Sequence, residues 1–203
     1  MILRAQSRRE CWRENARLPY SLAVNEVRRA VDSVYRFLHS INETLARQEL
    51  GLLEDLILGN TFSGLLSGVV VKSIARESRA VVRNRYIGGN PDPIPASNPK
   101  GDSQLRCEQG IEVTTSRQAG GWQGHNPETG WLMVFRYEAA NQAKPTQFVQ
   151  ILAAKLSLRD WSLAERGAQS RRTRTCSINR EGVAKLRANP VYEEPEWVVR
   201  KRG

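Results

Sequence analysis

Long apolar runs are missing from this chain of 203 residues. The longest, Leu65 to Val71, is interrupted by Ser67 and Gly68. It is far shorter than the roughly 20 residues that a membrane span needs, so no membrane partner is expected. The first twenty residues lack the apolar stretch of a secretory signal. Glu10 and Glu14 argue against a mitochondrial transit peptide. Cysteine is scarce: Cys11, Cys107 and Cys176 are odd in number, scattered and form no CxxC pair. That pattern indicates neither a disulfide framework nor a zinc knuckle, and a reducing cytoplasm is the expected location. Acidic residues are the minority, with Asp+Glu 21 against Lys+Arg 31 and a net charge of +10. The imbalance favours a polyanionic partner, nucleic acid first and an anionic surface second.

What is present is enough for a folded core. Hydrophobic residues reach 40%, too many for a disordered chain, and the length suits one domain. Residues 1–18 are basic and polar and read as a loose N-terminal arm. Residues 19–203 read as a single domain: helical over 21–77, strand-rich over 79–156 and basic over 157–203. Val24, Val27, Val31, Val34, Leu38, Ile41 and Leu45 recur at three- and four-residue steps, the period of an amphipathic helix, with Ser21 as its N-cap. A second helical stretch follows from Gly51 to Ser78, and Gly59, Gly64 and Gly68 are expected to weaken it. Short β-like segments follow: RAVVRNRYI, Gln104–Leu105, IEVTT, WLMVFRYE, TQFVQILAAKL and RTRTCSI. Asn179 is placed to cap a last short helix. The pattern predicts an α/β fold with a mixed central sheet flanked by helices.

The informative stretch is KGDSQLRCEQGIEVTTSR. Asp102 opens a short segment, Gln109-Gly110 supplies a turn, and Ile111–Thr115 is the expected partner strand of a hairpin. Alternation along that strand puts Glu112, Thr114 and Ser116 on one face and Ile111, Val113 and Thr115 on the other. Such a hairpin brings the Asp102 and Glu112 carboxylates together beside the Val113 carbonyl. An all-oxygen site of this kind suits Mg²⁺ or Mn²⁺ and not zinc.

These residues resemble the motif of the PD-(D/E)XK nuclease superfamily, in which an Asp is followed, after a variable gap, by Glu/Asp-x-Lys on a strand. The resemblance lies in Asp102, Glu112-Val113-Thr114 and the phrase GIEV, over residues 100–117. It implies a restriction endonuclease-like fold and a metal-dependent DNA endonuclease. In that reading Asp102, Glu112 and Val113 hold Mg²⁺ (or Mn²⁺), and Asp102, Glu112 and Thr114 form the catalytic set. Thr114 stands where the family usually has Lys. Positive charge would then come from Arg117 or Lys155, and Glu54 would be the acid of a preceding helix. Pro91-Asp92 spells the family's literal pair, but it sits in a Pro-rich loop, and Asp102 is the preferred first acid. The plainer alternative makes Asp102 a turn cap and Glu112 a solvated strand residue.

The remaining candidates concern DNA. Gln123 and Asn126, in the Gly-rich loop after the motif, could read base edges. Between Arg166 and Pro190 seven Lys/Arg accompany one acid, Glu181, and Arg171, Arg172 and Arg174 alternate with hydroxyls suited to phosphates. The expected partner is double-stranded DNA, and a homodimer would serve to cut both strands. The alternative is a catalytically impaired nuclease fold that binds nucleic acid, as the missing Lys suggests.

Overall fold

The computed structural model describes residues 2–124, 127–141, 144–163 and 176–195. Helix α1 (Val24–Arg47) forms where the apolar period predicts it, and it buries Val27, Val31, Val34 and Leu38. Its start differs from the expected one. Pro19–Ser21 make a short 3₁₀ turn in which Tyr20 and Ser21 have positive φ, so Ser21 cannot adopt the extended N-cap conformation. The Glu26 carboxylate caps the helix instead, accepting from the Ala23 N–H at 2.9 Å. A single turn, α2 (Leu53–Leu56), leads to α3 (Gly59–Glu77), which runs through Gly64 and Gly68 without a break. Phe62, Leu66, Val70 and Ile74 line its buried side at four-residue steps. Their burial outweighs the roughly 1 kcal/mol that each interior glycine costs.

Strands β1 (Val81–Arg83) and β2 (Pro93–Pro95) pair antiparallel as a small ribbon. Then follow β3 (Ile111–Ser116), β4 (Gln123–Gly124), β5 (Gly130–Glu138), β6 (Gln147–Leu156), β7 (Trp161–Leu163), β8 (Cys176–Ile178), helix α4 (Arg180–Arg187) and β9 (Pro190–Glu193). The central sheet has the order β3-β5-β6-β9. β3 lies parallel to β5, whereas β6 is antiparallel to both β5 and β9, so the sheet is mixed. The expected hairpin does not form. Residues 98–110 make turns and an isolated bridge, and the partner of β3 is the later strand β5. A second small sheet has the order β4-β8-β7.

The central sheet is buried on both faces. Ile111, Val113, Met133, Phe135 and Ile151 pack with α1 and α3 in one cluster. Leu132, Val134, Leu152, Ala154 and Leu156 pack with Trp122, Ile178 and Leu186 in the other. The alternation expected of Ile111–Ser116 is present, with Glu112 and Thr114 half-buried on the second face. The N-terminal segment is not loose. Cys11 and Trp12 are buried, and the Trp12 ring lies 4.8 Å from that of Tyr192, at the outer edge of β9. The Arg13 N–H donates to the Val191 carbonyl at 3.0 Å. The buried Trp12 and Cys11 side chains, closing a sheet edge, explain why this polar stretch packs on the core. No helix among the described residues is long and apolar enough to cross a membrane.

Helix α4 is anchored by a buried acid. Asn179 caps it as expected, its Oδ1 accepting from the Gly182 N–H at 3.0 Å. Asp160, fully buried beneath it, accepts from Lys185 Nζ at 2.8 Å and from the Ser157 N–H and hydroxyl at 2.7 and 2.9 Å. Burial pushes the Asp160 carboxyl up, but these donors and the Lys185 charge outweigh it and hold it below the usual value. Its contribution to stability is therefore present above the unfolded-state pKa and lost as pH falls through the depressed folded value. Asp160→Ala is expected to cost about 2–3 kcal/mol at neutral pH, since it strands Lys185 and the Ser157 donors. Urea unfolding from pH 6 down to pH 3 should show the gap between wild type and variant closing. A gap independent of pH would mean that Asp160 acts through packing alone.

Candidate active site

β3 is an edge strand of the central sheet, so one row of its backbone groups points away from β5. The loop between β1 and β2 covers that row. Asn84, itself buried, organises the loop: its Nδ2 donates to the Pro91 and Gln104 carbonyls at 3.2 and 2.8 Å, and its Oδ1 accepts from the Tyr86 and Gln104 N–H groups at 3.1 and 3.0 Å. The Asn90–Pro91 peptide is cis. Gly110, just before β3, lets the loop come close. A Cβ there would lie 2.1 Å from Pro91 Cγ and 2.7 Å from the Pro93 carbonyl oxygen. The Tyr20 hydroxyl fixes the same residue by accepting from the Gly110 N–H at 2.8 Å.

This packing brings Asp92, not Asp102, to Glu112. Asp92 Oδ2 accepts from the Val113 N–H at 3.3 Å. N–H and C=O of one strand residue point to the same side, so the Val113 carbonyl also faces this edge. Asn90 Nδ2 donates to Glu112 Oε2 at 3.0 Å. Burial pushes the Glu112 carboxyl up to about 8, with Asp92 and then Glu128 adding repulsion. Burial also raises Asp92, against the Val113 N–H and the charge of Arg83. Asp102 has a different fate. Its carboxylate pairs with Arg85 Nε at 2.9 Å and its side chain is 41% exposed. Without a hairpin, nothing turns it toward β3.

Glu112 and Thr114 open onto a cavity of about 320 Å³, lined also by Asn90, Glu128, Trp122 and Trp161. Gly124 borders it and receives the Trp161 ring, since a Cβ there would sit 3.1 Å from Cζ3. Gln123 is exposed and lines the same cavity. Lys and Arg are absent from its described lining. Arg117 is exposed beyond the end of β3. Lys155 shares the row of Ile111 and Trp131, whereas Glu112 shares that of Leu132 and Ala154, so Lys155 belongs to the opposite face. Glu54 is committed elsewhere, to Asn42 Nδ2 at 3.0 Å and to the Thr146 hydroxyl. Asn126, Arg171, Arg172 and Arg174 lie outside the described residues.

No family model, curated protein or solved structure matches this chain. What the site can do is set by its own donors. Among the described residues no three His, Cys, Asp or Glu side chains are arranged to hold a metal ion by themselves. The donors at the β3 edge are two carboxylates and a backbone carbonyl, all oxygen, a set that fits Mg²⁺ or Mn²⁺. Sequence reasoning missed Asn84, Asn90 and Glu128. Only Asn90 carried a signal, as the immediate neighbour of Pro91-Asp92.

A carboxyl raised from 4.5 to about 8 costs stability as pH rises. Glu112 stays protonated in the fold up to about pH 8 but ionises in the unfolded chain above about pH 4.5, so the stability fully present below about pH 4.5 is lost progressively up to about pH 8. Without divalent ions, the wild-type melting temperature should fall from pH 5 to pH 8 by more than that of Glu112→Gln. Thermal melts of both proteins across this range in a chelating buffer provide the check; parallel curves would place Glu112 in water.

Proposed function

We propose that this chain is a divalent-cation-dependent deoxyribonuclease with a restriction endonuclease-like fold. The observation that carries the reading is the meeting of Asp92, Glu112 and the Val113 backbone at the loop-covered edge of β3, beside a cavity that Glu112 and Val113 line. Pro91-Asp92 and Glu112-Val113-Thr114 then supply the family pattern, with Asp92 in the role first given to Asp102. Asp92, Glu112 and the Val113 carbonyl would hold Mg²⁺ (or Mn²⁺), which when bound lowers the pKa of a water and offsets phosphate charge. Asn90 holds the Glu112 carboxylate in place, and the Val113 N–H holds that of Asp92. Thr114 shares the Glu112 face and lines the cavity, and in this reading its hydroxyl would orient the attacking water. Water adds to phosphorus, the P–O ester bond breaks, and the products are a phosphate monoester and a free hydroxyl. The partner in this reading is double-stranded DNA, cut on both strands by a pair of chains in the cytoplasm.

One observation favours a second reading, a nuclease fold that binds nucleic acid without cutting. Thr114 replaces the family Lys, and no described cation lines the cavity. Plasmid incubated with the protein and Mg²⁺ or Mn²⁺ separates the two. Cleavage is expected, with Asp92→Asn and Glu112→Gln each lowering the rate at least about 100-fold, and Asp102→Asn changing it by less than about twofold. Mg²⁺ should also raise the melting temperature of the wild type and not that of Glu112→Gln. Cleavage that survives both active-site changes would refute the assignment. Binding without cleavage under either ion would establish the second reading.

A further inference from the structure

A second cleft, of about 440 Å³, lies between α1 and the segment of residues 4–9. Arg4 and Arg9 line it from the segment, and Arg28 and Arg36 from the helix; Asp32 is its one acid. Arg28, Asp32 and Arg36 are spaced four apart and share one stripe of α1. Arg36 donates to the Ser33 hydroxyl at 2.7 Å. The guanidinium groups of Arg4, Arg9 and Arg28 have neither an ion pair nor a hydrogen bond among the described residues. Among the described residues Asp32 accepts only from the Ser7 hydroxyl, at 3.4 Å.

Four positive charges against one would ordinarily spread into solvent. Here the backbone that bears two of them is fixed. Ala5 is buried against the core, the Arg8 N–H donates to the Tyr192 hydroxyl at 3.3 Å, and Arg8 pairs with Glu194 at 3.4 Å. The charges therefore face one concavity with little ordering left to be done on binding. A concave surface of one sign concentrates counter-ions of the other. Arginine forks also match phosphate oxygens better than an ammonium does. Along α1 the distance from Arg28 to Arg36 is about 12 Å at 1.5 Å per residue, room for successive phosphates and more than a single anion fills.

We propose that this cleft is a phosphate-binding site for a nucleic-acid backbone, formed by Arg4, Arg9, Arg28 and Arg36 and separate from the cavity of Glu112. It does not depend on the nuclease reading, because it requires binding alone. A free polyphosphate shares the chemistry, and the test distinguishes the two sources. Anisotropy of a labelled DNA duplex of about 20 base pairs is titrated in a chelating buffer, so cleavage plays no part. Arg9→Gln combined with Arg28→Gln should weaken binding at least about tenfold near 100 mM salt. It should also reduce the slope of log K against log salt by about 1.8, at roughly 0.9 per lost contact. Asp32→Asn should tighten binding about two- to threefold, a gain of opposite sign that general destabilisation cannot produce. Inorganic triphosphate is titrated in parallel by calorimetry. Loss of triphosphate binding in the double variant, with duplex binding untouched, overturns the backbone as ligand and leaves a small-polyphosphate site. Duplex affinity and salt slope equal to wild type, with no triphosphate site, overturn the proposal altogether.

Discussion

The close approach of the Pro91–Pro93 loop to Gly110 is the constraint on which the candidate site rests. A side chain at position 110 would collide with Pro91 and Pro93, so the loop can lie on the β3 edge only over a bare backbone. Tyr20 fixes that backbone from the other side, through the Gly110 N–H. These two contacts join the turn before α1, the β1–β2 ribbon and the edge of the central sheet. The carboxylate of Asp92 reaches Val113 because all three parts are in register.

The rest of the fold supplies rigidity behind that contact. β3 cannot shift by one residue without turning Ile111 and Val113 out of the helical core and Glu112 into it. The parallel partner β5 and the deeply buried β6 hold the register over six paired positions of β3. On the opposite face Trp122, Ile178 and Leu186 close the second core, which packs α4 against the sheet, and the small β4-β8-β7 sheet borders the cavity. The two acids thus sit on a stiff strand and a tethered loop, while the aromatic wall comes from a separate unit.

The elements with strong local period were legible in the sequence: α1, β3, β5, β6 and α4 appear where the patterns put them. Glu112 and Thr114 could be read for the same reason, because their phase along a strand is a local property. The first acid could not. Choosing Asp102 assumed that neighbours in sequence pair in space, but β3 pairs forward with β5, and the gap it leaves is filled by a loop from upstream. Non-local pairing leaves no periodic trace. Glu128 meets Glu112 across the same kind of separation, and Asn84 acts through backbone contacts that any loop Asn might make. The N-terminal segment misled for a different reason: its composition is polar, but Cys11 and Trp12 are enough to order it.

Asp92 has a consequence unrelated to chemistry. A sheet edge with unpaired N–H and C=O groups invites another chain to add a strand. On β3 the Val113 N–H is already taken by a carboxylate, and the covering loop and the strand β2 that follows it carry Pro91, Pro93 and Pro95, none of which can donate to a new ladder. The same residues that assemble the candidate site therefore also keep this edge from templating self-association, so changes that loosen the loop would be felt first as aggregation.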